Sequence, residues 1–269
     1  MRAFSKSRKA TGLVALAAAA SLALAGCAAA EPTAEPSETS TIAQGDGVLK
    51  IGAIVPFTGG LAFLSPPEIA GIDLAVADIN AAGGVLGKPV EVTYEDSGDT
   101  TTPELAPASA TKLLSEGVDA IIGAASSSVT RLIIDQITGA KVVQVSMANT
   151  APDLSTWDDG GYYFRTAPSD ILQGAILGNQ VVADGNENVA IIYQQSSYGE
   201  GLEAKTKEII EGAGATVVGS FPFPEAETNF DTVVDNALAA GPDSIVLISY
   251  DESKKAIPAL EKKGFDGSK

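Results

Sequence analysis

From residue 48 onward, short β-rich runs alternate with amphipathic stretches, and no other feature narrows the possible folds as far. The runs are LKIGAIV (49–55), VEVTYED (90–96), DAIIG (119–123), KVVQVS (141–146), YYFRTA (162–167), NVAIIYQ (188–194), TVVGSFPF (216–223) and DSIVLISY (243–250). Between them, Ile69, Ile72, Val76 and Ile79 make one apolar stripe at helical spacing. Leu202, Thr206, Ile209 and Ala213 make a second, and Phe230, Val233, Val234, Ala237 and Leu238 a third. Strand then helix, joined by short polar connections, predicts an α/β fold with parallel, doubly wound sheets, right-handed crossovers and helices on both faces. All-α and all-β folds are excluded by that rhythm, and no solenoid repeat is present. Pro66 and Pro67 open the helix that Gly83 and Gly84 stop, while Pro107 sets the start of the next helix near Ala106.

The chain has 269 residues, 45% of them hydrophobic, which is enough for one or two domains with real cores. It contains no histidine. That removes the Ser-His-Asp triad, the Cys-His pair and imidazole metal ligands, and an extracellular serine hydrolase is rejected for the same reason. The segment AAGGVLGKP fails as a phosphate loop, because Ala82 stands at the first glycine position and Pro89 replaces the hydroxyl that would meet magnesium. In YEDSGDTT, Asp96 and Asp99 lack the spacing of a calcium loop and read as a solvated turn. No cofactor and no metal are expected.

Arg2, Lys6, Arg8 and Lys9 precede an apolar run from Leu13 to Ala25, too short to span a bilayer, so residues 1–26 read as a secretory signal peptide. It ends in LAGC, which resembles the bacterial lipobox; Cys27, the only cysteine, would become the lipidated N-terminus. Removal of the leader takes four basic residues and leaves 13 against 34 acidic ones, a net charge of −21. Such a surface repels nucleic acid and anionic headgroups. Residues 27–47, from the anchor cysteine through a segment rich in Pro, Glu, Ser and Thr, have the composition of a disordered tether. A lipid-anchored protein on the outer face of the cytoplasmic membrane is the expectation.

Ligands of open α/β sheets sit outside the carboxyl ends of the strands, where the chain direction reverses. Ser126, Ser127 and Ser128 follow one strand and begin a helix, and Ala148 and Thr150 follow the next strand. Hydroxyls and free helix N–H groups there suit a small anion. A plain N-cap explains one serine but not three. Tyr198 follows the strand 188–194, and Tyr250 and Asp251 follow the last one.

The run KIGAIVPFTGGLAFLSPPEIAGIDLAVADINAAGGVLGKPVEVTYED, with GAASSSVT, VSMANTAPDL, YYFRTAPSDILQG and YGEGL, resembles the leucine/isoleucine/valine-binding protein family. These are the amino-acid substrate-binding proteins of ABC importers, and the likeness extends over about residues 48–265. The resemblance implies the type I periplasmic-binding fold, with an N-terminal lobe 48–166, a second lobe 167–269 and a hinge. It implies a non-enzymatic protein that takes a branched-chain or other apolar amino acid between two lobes and delivers it to an ABC permease. Alternatives in the same fold are a binder of amides or urea, or a ligand-sensing surface lipoprotein.

Carried over by position, Ser127 and Thr150, beside Ser126, would hold the ligand carboxylate, and the Ala148 carbonyl would accept from its ammonium. Tyr198 and Tyr250 would close from the second lobe. Leu64 stands where relatives often carry an aromatic residue. The chain ends at GFDGSK, before the strand whose loop bears the family's ammonium-binding carboxylate. On this resemblance the C-terminal part is missing, and Asp251 becomes the substitute ammonium partner.

Overall fold

The computed structural model describes residues 45–265; the leader, Cys27 and the tether up to residue 44 lie outside the described residues. Eight strands form two sheets. In the first, β1 (Lys50–Val55), β2 (Glu91–Asp96), β3 (Ala120–Gly123), β4 (Val143–Ser146) and β5 (Tyr163–Arg165) run parallel in the order β2-β1-β3-β4-β5. The second holds β6 (Asn188–Gln194), β7 (Thr216–Phe223) and β8 (Ser244–Ile248), parallel in the order β7-β6-β8. Each expected β-rich run contains one of these strands. Both orders reverse direction beside the first strand of the sheet, between β1 and β3 and between β6 and β8, so each sheet opens a crevice at its carboxyl edge.

Helices α1 (Ser65–Ala81), α2 (Leu105–Ser115) and α3 (Ser127–Gly139) pack on the first sheet. Helices α4 (Asp170–Ala183), α5 (Ser197–Gly212), α6 (Asp231–Ala239) and α7 (Ser253–Lys262) pack on the second. Successive residues of β6 show why both faces must be covered. Val189 and Ile191 enter the core shared with α4 and α5, and Ala190 and Ile192 enter the core shared with α6 and α7; all four are fully buried. A central parallel strand buried on both sides reads as a continuous apolar run, and NVAIIYQ is one.

Two of the expected stripes shift. In α1 only Ile72 is buried among the four; Ile69 and Val76 are half-buried, and Ile79 is 39% exposed, because α1 alone covers its face of the first sheet. In α5 the buried line is Leu202, Thr206 and Ile210, four residues apart, whereas Ile209 is half-buried and Ala213 lies beyond the helix end. The proline and glycine signals hold: α1 carries its prolines in the first turn, and Gly83 and Gly84 follow it with φ of 106° and 73°, the left-handed region. Among the described residues no helix is long and apolar enough to cross a membrane.

Candidate ligand-binding site

The three consecutive hydroxyls of GAASSSVT perform three separate tasks. Ser126 is the N-cap of α3, its side chain accepting from the Val129 N–H. Ser127 turns inward, 2% exposed, and its Oγ accepts from the N–H groups of Thr150 and Ala151, both at 3.2 Å. Ser128 reaches the second half of the molecule: its Oγ donates to Ser197 Oγ at 3.1 Å and accepts from Ser197 N at 2.9 Å. Ser197 begins α5. The N-termini of α3 and α5 therefore meet, and their partial positive charges converge on one place.

Beside that junction lies a cavity of about 300 Å³. Loops after β1, β3, β4, β6 and β8 line it, which puts it at both sheet reversals together. Ser127, Thr150 and Ser249 supply hydroxyls, and Leu61, Phe63 and Leu64 an apolar wall. Tyr198 and Tyr250 stack on each other with ring centroids 5.2 Å apart and planes at 11°. Burial pushes both phenols above their ordinary ionisation, so both rings stay neutral donors. Among the described residues no charged side chain lines this cavity.

Of the residues singled out by sequence, Leu64, Ser127, Ala148, Thr150, Tyr198 and Tyr250 come together here. Ser126 lines a smaller void next to it. Asp251 does not come in. Its carboxylate is 45% exposed and pairs with Lys254 at 2.5 Å, because the β8–α7 turn directs it outward while the following residue, Glu252, is buried.

Sequence reasoning missed the residues that shape the site from behind. Asn149, fully buried, donates from Nδ2 to the carbonyls of Ala124 and Ala125 at 3.1 and 2.8 Å and accepts from the Tyr163 hydroxyl. It locks the β3 and β4 exits together as a brace. Asp96 and Asp99 are braces too, not a solvated turn: Asp96 accepts from Thr58 and Gly98, and Asp99 from Gly60 and Thr101. Phe63 stood in the first-loop segment but carried no periodic signal of its own.

Asp170 opens α4 just after the chain crosses from the first sheet to the second, and its N–H donates to the Thr150 carbonyl at 2.8 Å. Its carboxyl is fully buried and neither oxygen has a hydrogen-bond partner. Burial pushes it from 3.8 up to about 6, which the nearby Thr150 hydroxyl and Arg165 oppose without closing a hydrogen bond. The folded pKa exceeds the unfolded one, so Asp170 favours the fold when protonated, and that contribution is lost as pH rises through about 6.

The sequence profile of the periplasmic binding protein family matches residues 48–269. The Leu/Ile/Val-binding protein of Citrobacter freundii is 32% identical over 190 residues, 69% of this chain and 50% of that protein. The leucine-, isoleucine-, valine-, threonine- and alanine-binding protein of Pseudomonas aeruginosa is 29% identical over 206 residues, 75% and 54% of the two chains. A branched-chain amino acid transporter substrate-binding protein of Streptococcus pneumoniae, solved with isoleucine, superposes with a TM-score of 0.72 at 28% identity, covering 81% of this chain and 62% of that one. A Rhodopseudomonas palustris solute-binding protein in complex with 4-hydroxybenzoate gives 0.74 at 23% identity, with 81% and 58% covered, a likeness of fold. The chain spans about half the length of the curated relatives it matches. With the profile running through both sheets and through every residue of the cavity, the chain belongs to the periplasmic binding protein family, in its leucine/isoleucine/valine-binding branch.

Proposed function

We propose that the chain carries the ligand-binding region of an extracytoplasmic solute-binding lipoprotein of an ABC importer, and that it binds a branched-chain or other apolar amino acid without catalysis. The observation that carries this reading is the cavity's mixed lining. The Ser127 and Thr150 hydroxyls and two helix N-termini stand beside Leu61, Phe63, Leu64 and a tyrosine pair, with no charged side chain among the described residues that line it. A carboxylate on a short apolar body matches that lining. The Ala148 carbonyl stands ready as an acceptor for the ammonium.

Both halves must contribute. Micromolar binding needs about 8 kcal/mol, and two or three hydrogen bonds to a carboxylate give about 1.5–3 kcal/mol each before ordering costs. Tyr198 and Tyr250, from the second sheet's exits, supply contact area and exclude water, as expected of a domain-closure mechanism. The lobes of this proposal are residues 48–166 and 167–269, and a permease recognises the closed pair.

The stacked tyrosines and the 4-hydroxybenzoate complex of a structural neighbour favour a second reading, an aromatic carboxylate in the same cavity. Calorimetry of the full-length gene product against leucine, isoleucine, 4-hydroxybenzoate, acetamide and urea separates the readings. Binding of leucine or isoleucine at micromolar affinity is expected. Heat from the aromatic acid alone selects the second reading, and heat from the amides alone removes the carboxylate site. We further propose that Cys27 is the membrane anchor; a Cys27→Ala protein in a native-like host should leave the membrane fraction, and one that stays there has another anchor.

A further inference from the structure

A void of about 10 Å³ adjoins the cavity and shares Leu61 and Tyr250 with it. It lies where the two halves meet. Asp99 reaches it from the β2–α2 loop, Glu225 from the β7–α6 loop, Glu252 from the start of α7 and Gln194 from the end of β6. Asp99 is occupied by Gly60 and Thr101, and Glu252 by the N–H groups of Tyr250 and Ala226 and by Gln194 Nε2.

Glu225 is different. Its Oε2 accepts from the Thr100 hydroxyl, a bond that joins the two halves, while its Oε1 is buried with no partner. Gln194, fully buried, also has an Oε1 with no partner. Two unpartnered acceptors thus line a space the size of one small particle, among three carboxylates. No lysine or arginine among the described residues forms an ion pair with any of the three. Nor, among the described residues, does any group of acidic side chains have an arrangement that could hold a metal ion.

We propose that Glu225 takes up one proton when the two halves meet, so that this void is a proton-operated latch coupling ligand binding to pH. The proposal rests on the two-half binding mechanism above. The proton comes from solvent and goes to Glu225 Oε1, which becomes a donor beside a void that Gln194, with its own unpartnered Oε1, also lines. Repulsion from Asp99 and Glu252 falls at the same time. The electrostatics agree: burial is the main effect raising the Glu225 carboxyl, the charges of Asp99 and Glu252 add to it, and Thr100 opposes it. Tyr250, whose phenol also faces Glu225, remains neutral.

In an opened molecule Glu225 is hydrated and ionises in the ordinary carboxylate range. The closed state then holds the extra proton. Affinity therefore rises as pH falls through the closed-state pKa and levels off below the open-state one, by up to about tenfold per pH unit between them.

Calorimetry of leucine or isoleucine in buffers of different ionisation enthalpy, from about pH 8 to about pH 5, counts the protons taken up. Wild type should take up a proton on binding. Glu225→Gln, which imitates the protonated form, should keep at least wild-type affinity at neutral pH and lose the uptake. Unaltered uptake in Glu225→Gln overturns the proposal and leaves the void holding water only. Dependence on sodium or potassium at constant ionic strength overturns it in favour of a metal cation. Carbon-detected carboxyl titration with and without leucine or isoleucine, compared with Glu225→Gln, reads the site directly. An ordinary Glu225 pKa without ligand and a raised one with it are expected; an ordinary value in both, in a protein that binds the amino acid, overturns the latch while leaving the binding function standing, and absence of binding heat is the failure of the binding function instead.

Discussion

Replacing Gly123 with alanine should cost about 2–6 kcal/mol of stability and abolish ligand binding along with it. Gly123 ends β3 with φ at 113°, and a Cβ there would sit 2.0 Å from the Ile54 carbonyl oxygen. That oxygen belongs to β1, the strand paired to β2 on its far side through Ile54 and Glu95, so it cannot retreat without breaking the sheet. The forced backbone conformation costs about 1–3 kcal/mol and the overlap about as much again. Against a total of about 5–15 kcal/mol, that is a large fraction. The strand end also aims Ala125 and Ser127 at the cavity, so relief by movement would dismantle the site. Urea denaturation of the two proteins side by side reads the loss; a wild-type midpoint for the alanine protein would show that β1 yields more easily than its pairing implies.

Ser127→Ala should weaken amino-acid binding by about 1–3 kcal/mol and, separately, lower stability by a similar amount. The two losses have different origins. Removing the hydroxyl takes a donor from the proposed ligand carboxylate, and it also strips the acceptor from the Thr150 and Ala151 N–H groups at a position only 2% exposed. Thr150→Ala should show the affinity loss with a smaller change in stability, since the half-buried Thr150 side chain holds no such pair of backbone groups. Calorimetry and denaturation on both variants test this. Unchanged affinity in both would move the carboxylate elsewhere, and unchanged stability in Ser127→Ala would mean that the β4 exit holds its shape unaided.

How far the site could be read in advance varied with the kind of interaction involved. Ser127, Ala148, Thr150, Tyr198 and Tyr250, singled out because each follows a strand by a few residues, line one cavity because in a parallel α/β sheet all strand ends point one way. Asp251 was misplaced because one residue in a turn reverses a side chain: Asp251 pairs with Lys254 in solvent, and Glu252 lines the void. The Asn149 brace left no signal, since its partners Ala124 and Ala125 are chosen by their carbonyls and any residue has a carbonyl.

Periodicity and near neighbours along the chain were enough to place the elements, though not the exact buried line of α1 and α5. Eight apolar runs set the strands, Pro66, Pro67, Gly83 and Gly84 bounded α1, and the order of runs and stripes demanded parallel sheets. Only the tertiary structure decided which of three adjacent serines caps a helix, which braces a loop and which joins the two halves, because their partners lie three, 23 and 69 residues away. It alone brought Asp99, Gln194, Glu225 and Glu252 around one void. Local propensity acts through a few residues of chain, whereas burial and hydrogen bonding between distant segments exist only after the sheets have formed, and the chemistry of this site is made from the second kind of interaction.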